Sequence, residues 1–178
     1  MKNTLRSFCL ALVIGFSAPS VFGQETIATA IENYDQGFRL GFGLNGGLPL
    51  NDPYDFSLGG DVRLQYDLTK KTSLTLTTGF TNFFVSGKDN DLGFIPLKAG
   101  FKVFVYENEF YLIGEAGAAF AVTNNYDKTS LLLSPGVGYA TKVIDFSLRY
   151  EYLKDFIDES GDEGIGQVVA RVAYAFEL

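Results

Sequence analysis

Val168-Val169-Ala170-Arg171-Val172-Ala173-Tyr174-Ala175-Phe176-Glu177-Leu178 closes the sequence. Its even positions, Val168, Ala170, Val172, Tyr174, Phe176 and Leu178, are apolar without exception, while the odd ones include Arg171 and Glu177. Alternation at a period of two is the mark of a strand whose two faces meet different surroundings. A helix brings its apolar residues back every three to four positions or so and does not produce this pattern.

Read backward from this segment, the same alternation recurs to Phe38. Strands are expected at 38–48, 56–68, 73–84, 94–106, 110–122, 130–142, 145–152 and 165–178. Most are longer than the roughly 5–6 residues usual in soluble sheets and suit the roughly 9–11 residues of a tilted membrane strand. The connections sort into two kinds. Turn-rich runs such as Asn51-Asp52-Pro53 and Ser86-Gly87-Lys88-Asp89-Asn90-Asp91 alternate with tight ones at Thr69-Lys70-Lys71-Thr72, Glu107-Asn108-Glu109 and Val143-Ile144. Short turns at one rim and longer loops at the other are the pattern of a transmembrane barrel whose termini lie on the short-turn side. The expected fold is therefore all-β, an eight-stranded antiparallel up-and-down transmembrane β-barrel over 38–178.

The alternation also assigns faces. Phe38, Leu40, Phe42 and Leu44 oppose Arg39, Gly41, Gly43 and Asn45; Phe146, Leu148, Tyr150 and Tyr152 oppose Ser147, Arg149 and Glu151. With the apolar set toward lipid, Arg39, Asp61, Arg63, Lys98, Lys102, Glu115, Arg149, Glu151 and Arg171 point into the lumen. An eight-stranded barrel is just wide enough for side chains to fill, and buried charges must pair. A strand 4–5 hairpin with Tyr106 opposite Tyr111 sets Lys102 opposite Glu115; Lys142 opposite Asp145 sets Arg149 opposite Gly138. Two aromatic rings are expected: Phe38, Tyr66, Tyr106, Phe110, Tyr139, Phe146, Tyr174 and Phe176 at the short-turn rim, and Phe56, Phe80, Phe83, Phe84, Phe94, Phe120, Tyr150 and Tyr152 at the other.

Before the barrel, Lys2 and Arg6 precede the apolar run Phe8 to Phe16, and small residues lead to Val21-Phe22-Gly23. This is the layout of a secretory signal peptide over 1–23, cleaved after Gly23 and implying export. Residues 24–37 read as an N-terminal arm or short amphipathic helix, with Ile27, Ala30, Ile31 and Tyr34 at helical spacing. Cys9 leaves with the signal, so the mature chain has no thiol. Without Lys2 and Arg6, 12 basic residues face 21 acidic ones, a net charge of −9. Nucleic acid is not an expected partner of such a chain.

Enzymatic function has little to rest on. The sequence holds no histidine, which excludes Ser-His-Asp chemistry and imidazole ligation of metal or haem. The acidic run Lys154-Asp155-Phe156-Ile157-Asp158-Glu159-Ser160-Gly161-Asp162-Glu163-Gly164 offers carboxylates to a divalent cation but lacks EF-hand spacing and reads as a solvated loop. No catalytic, cofactor-binding or metal site is assigned, and no cofactor is expected.

Several segments resemble the small outer-membrane β-barrel family, the OmpX/OmpA-type transmembrane domain and the outer membrane protein beta-barrel domain of Bacteroidetes-type bacteria. They are Phe94-Ile95-Pro96-Leu97-Lys98-Ala99-Gly100, Phe110-Tyr111-Leu112-Ile113-Gly114-Glu115-Ala116-Gly117, Pro135-Gly136-Val137-Gly138-Tyr139, Phe146-Ser147-Leu148-Arg149-Tyr150-Glu151-Tyr152 and the closing Tyr174-x-Phe176. The resemblance implies a Gram-negative outer-membrane location, contact with outer-membrane lipid, and Tyr174, Phe176 and Leu178 as the signal read by the barrel-assembly machinery. It implies no reaction. The functional expectation is a monomeric, non-enzymatic barrel with a charge-plugged lumen and an envelope-structural or surface-interaction role. A narrow porin or ion pore, and a secreted barrel binding an apolar ligand, are the alternatives.

Overall fold

The structure, a computed structural model, describes residues 37–51, 54–85, 91–106, 109–123, 129–154 and 164–178. The signal segment, all of the 24–37 arm except Gly37, and nearly all of the acidic run after Lys154 lie outside the described residues.

Eight strands follow one another: β1 (Phe38–Pro49), β2 (Phe56–Thr69), β3 (Thr72–Phe84), β4 (Leu92–Tyr106), β5 (Phe110–Ala121), β6 (Thr129–Ala140), β7 (Ile144–Leu153) and β8 (Ile165–Glu177). Each pairs antiparallel with its neighbours in sequence, and β1 pairs with β8, so the sheet closes into a barrel. Closure removes the free edges that an open sheet of this length would expose. The sequence places every strand boundary within two residues of these limits, because the change from alternating to turn-forming residues is abrupt at each end.

The closing seam is long. Arg39 pairs with Glu177, and the register runs unbroken to Pro49 opposite Gln167. The terminal alternation quoted above thus lies flat against the strand begun by Phe38.

Burial follows parity. In β7 every second residue, Asp145, Ser147, Arg149, Glu151 and Leu153, is buried, while Phe146, Leu148, Tyr150 and Tyr152 are exposed. The same inside-out order holds in β2, where Ser57, Asp61, Arg63, Gln65 and Asp67 are buried and Phe56, Leu58, Val62 and Leu64 exposed. Leucines such as Leu44, Leu112 and Leu148 are more than half exposed, which in a water-soluble chain would be an unusually extensive apolar surface.

Two registers differ from the expected ones. In the β4–β5 hairpin Tyr106 pairs with Phe110 and Phe104 with Tyr111, with an irregularity between them. Lys102 therefore lies opposite Ile113, not Glu115, and Glu115 lies opposite Gly100. In the β6–β7 hairpin Ala140 pairs with Asp145, so Arg149 faces Gly136 rather than Gly138. The cause is the turn, which takes in Thr141 to Val143. The Thr141 hydroxyl accepts from the backbone N–H of Ile144 at 3.0 Å, and the Thr141 N–H donates to the Ile144 carbonyl at 2.7 Å.

Two aromatic assignments also change. Phe83 and Phe94 are fully buried inside the barrel rather than in the outer ring. Phe94 shares the inward parity of Lys98, and Phe83 that of Thr77 and Thr81. The remaining ring members stay on the outside, and at the short-turn rim they touch in pairs: Phe38 with Tyr66 at 4.7 Å and Phe110 with Tyr139 at 4.9 Å between ring centres.

Candidate functional site

The lumen has two layers. At the long-loop end Phe83, Leu92, Phe94, Ala119, Leu132, Leu153 and Ile165 form a buried apolar cluster, with Tyr54 and Ala121 packed against it. Phe83 anchors it, stacking on Phe94 at 5.5 Å and meeting Tyr54 at 5.1 Å. Beneath the cluster the lumen is filled with charge. Of the nine expected lumen residues, eight are buried: Asp61, Arg63, Lys98, Lys102, Glu115, Arg149, Glu151 and Arg171. Arg39 is the exception. It stands at the short-turn rim, partly exposed, between Asp67 at 3.1 Å and Glu177 at 2.8 Å.

Glu115 on β5 is the hub. Arg63 from β2 donates to it at 2.9 Å, Arg149 from β7 at 3.0 Å, and the Thr77 hydroxyl from β3 at 2.9 Å, while Lys98 from β4 lies 3.6 Å away. Lys98 also reaches Glu151 at 2.7 Å, and Gln167 donates to the other oxygen of Glu151 at 3.0 Å. Toward β8, Arg171 grips Asp61, with Nε 2.8 Å from Oδ2. Asn45 joins the two halves, donating to Asp61 at 2.7 Å and accepting from Arg149 at 2.7 Å. Nearer the short-turn end Lys102 pairs with Asp145 at 2.7 Å, the Tyr111 hydroxyl donates to Asp145 at 2.6 Å, and the Lys102 ammonium lies 3.8 Å from the centre of the Tyr111 ring. The network continues through Gln65 to Asp67 and Arg39.

Charge balances within this layer. Arg63, Lys98, Lys102, Arg149 and Arg171 face Asp61, Asp67, Glu115, Asp145 and Glu151, five of each sign among the buried described residues. A buried charge without a partner costs several kcal/mol, so a filled lumen of this size is stable only when the signs match. Glycines make the room. A Cβ on Gly43 would lie 2.7 Å from Arg171 Nε, one on Gly100 2.6 Å from Glu115 Cγ, and one on Gly136 2.5 Å from Arg149 Cγ. Arg171, Glu115 and Arg149 each lie over a glycine of the adjacent strand, where no side chain competes for the space.

Several members of the network were not singled out from sequence. Asp145 begins the strand expected at 145–152 and shares the odd parity of Arg149 and Glu151, but its place beside the turn left it out of the lumen set. Tyr111 shares the parity of Glu115, a signal that an aromatic next to a rim position obscures. Asn45, Gln65, Asp67 and Gln167 lie on inward positions but join the network as hydrogen-bonding links rather than through a charge cluster visible in sequence. Tyr174, Phe176 and Leu178 lie exposed on the outer face at the end of β8. Among the described residues no group of three or more His, Cys, Asp or Glu side chains is arranged to hold a metal ion.

No protein-family model matches the sequence, and no curated protein matches it. Solved structures do match the fold. The attachment invasion locus protein Ail of Yersinia pestis is 18% identical over 80% of this chain and 100% of its own, with a TM-score of 0.54. The N-terminal β-barrel domain of Pseudomonas aeruginosa OprF is 13% identical over 80% of this chain and 100% of its own, at 0.57. Neisserial surface protein A is 12% identical over 80% of this chain and 97% of its own, at 0.52. At these identities the likeness is one of fold: this chain has the architecture of the small eight-stranded outer-membrane barrels.

Proposed function

We propose that the protein is an integral barrel of a Gram-negative outer membrane, exported by the 1–23 signal, with no enzymatic activity and a plugged lumen, contributing to envelope structure or to surface interactions. The observation that carries the reading is the inverted distribution of side chains: five cations and five anions buried inside, and large apolar residues exposed outside on all eight strands. Lipid is the surrounding in which this order lowers the free energy, since an exposed apolar band is stabilised there and inward charges satisfy one another. The fold shared with Ail, OprF and NspA supports the same location. Lipid and, during insertion, the barrel-assembly machinery are the proposed partners, the latter meeting Tyr174, Phe176 and Leu178. The closed seam between β1 and β8 leaves no unpaired strand among the described residues and favours a monomer.

Plugging is favoured over a pore by the ion pairs that cross the lumen and by the apolar cluster above them. A secreted binder of an apolar ligand would need an apolar cavity, and the described lumen is instead polar over most of its depth. Two measurements on the purified mature chain test the proposal. Unheated and boiled samples should migrate differently on a denaturing gel, and planar-bilayer recordings should stay silent. Equal migration, or recovery of the protein as a soluble species without detergent, refutes the membrane barrel. Stable unitary conductance refutes the plug.

A further inference from the structure

Two guanidinium nitrogens in the lumen, Arg63 Nη1 and Arg149 Nε, have no hydrogen-bond partner among the described residues, although Arg63 is only 3% and Arg149 only 2% exposed. A guanidinium projects its N–H groups in fixed directions, so it cannot turn an unmade bond aside as a hydroxyl can. Buried donors of this kind are nearly always paired, with protein or with ordered water.

Each of these arginines also lines a small void in the lumen, the lower one reaching Arg39 and Ala175 at the short-turn rim. The lower void, of about 20 Å³, is bounded by Gly41, Arg63, Gln65, Asp145, Arg171 and Ala173 among others. The upper one, of about 10 Å³, is bounded by Asn45, Ser57, Thr77, Arg149, Glu151 and Gln167 among others. The hydroxyls of Thr75 and Ser130 also lack partners among the described residues, but neither residue lines either void. The two unpartnered guanidinium nitrogens and the two voids therefore coincide one to one.

We infer that each void is a binding site for one ordered water molecule. The lower water accepts from Arg63 Nη1 and donates to Asp145 or Gln65; the upper accepts from Arg149 Nε and donates to Glu151 or Gln167. The fit is one of both size and polarity, since a buried water needs roughly 10–15 Å³ and two to four polar partners. A halide is the poorer occupant of the lower void. It would face the Asp145 carboxylate, and the buried cations already have their anions.

The two waters are separate sites. Arg171 lines the lower void and Asp61 the upper, and the ion pair between them occupies the space where the two voids meet. The apolar cluster closes the long-loop end, so the lower water exchanges with bulk at the short-turn end, past Arg39. The lumen is thus hydrated at isolated points without conducting. This inference concerns hydration and stands or falls apart from the membrane reading, which gel migration and fractionation test.

A crystal structure of the refolded barrel that resolves ordered solvent tests it directly. One peak within hydrogen-bonding distance of Arg63 Nη1 and one of Arg149 Nε, not joined to each other, is the expected result. Absence of either peak, a continuous file of waters between them, or an anomalous signal in the lower void from crystals grown in bromide overturns it.

Discussion

Glu115→Gln tests the network at its hub. The substitution keeps the volume of the side chain and removes its charge. Arg63, whose Nε is held by Thr77 and whose Nη2 reaches Glu115 at 2.9 Å, would then have no close anion. Arg149 would keep Glu151 only at 4.0 Å, and Lys98 would keep Glu151 at 2.7 Å. One carboxylate would serve where two balanced three cations, and the new amide would turn an N–H toward one of them. Breaking a buried pair in this way costs about 3–5 kcal/mol, a large share of the roughly 5–15 kcal/mol by which a domain is stable. With a urea slope of about 1–3 kcal/mol per molar, the unfolding midpoint should fall by about 2 M. The assay is equilibrium unfolding of the barrel folded into phosphatidylcholine vesicles, followed by tyrosine emission, which the 10 Tyr and absence of Trp make the natural probe. Glu177→Gln is the control. It removes a rim charge paired with Arg39 at 2.8 Å in solvent, and exposed pairs are worth about 0–1 kcal/mol. If Glu115→Gln unfolds no earlier than Glu177→Gln, the lumen charges do not hold the barrel together, and the energetic argument for the plug is wrong.

Three further outcomes follow from the packing. Phe83→Ala empties the centre of the apolar cluster and should cost about 3–5 kcal/mol in the same titration, with the aromatic contacts to Phe94 and Tyr54 lost together. Gly136→Ala sets a Cβ 2.5 Å from Arg149 Cγ and 2.7 Å from the Leu148 carbonyl oxygen; a strand carbonyl cannot step aside, so a loss of about 1–3 kcal/mol is expected. Leu148→Arg, on the exposed face of β7, should cost about 2–4 kcal/mol in vesicles if that face lies near the bilayer midplane, and its folding yield there should fall; an unchanged yield would argue that the face does not meet lipid.

Strand limits and faces were legible because both are local. Whether Arg149 points inward depends on its neighbours Leu148 and Tyr150, and parity carries that information along the strand without reference to the rest of the molecule. The same rule, applied without regard to chemistry, would have placed Phe83, Phe94 and Tyr111 in the lumen and recruited Asp145. Phe83 and Phe94 were instead assigned to the outer aromatic ring, and Tyr111 and Asp145, though on strands, were not counted among the lumen charges. The apolar cluster was missed because an inward aromatic and an outward one look alike in a segment that is apolar on both faces.

Cross-lumen partners were not legible, and the reason is geometric. Shifting a hairpin register by two residues preserves every face, so the alternation cannot detect it, yet it moves a side chain by about 7 Å along the barrel. The irregularity between Phe104 and Tyr106 and the wider turn at Thr141 to Val143 each introduce such a shift. They exchange the expected Lys102–Glu115 pair for Lys102–Asp145 and hand Glu115 to Arg63, Arg149 and Lys98. The terminal alternation from Val168 to Leu178, with its seven relatives, marked the strands and their two faces, and the strand lengths, the aromatic placement and the two kinds of connection turned those faces into an inside-out closed barrel. Which charge neutralises which was decided only when eight registers closed on one another, because that choice depends on depth along the barrel and not on face.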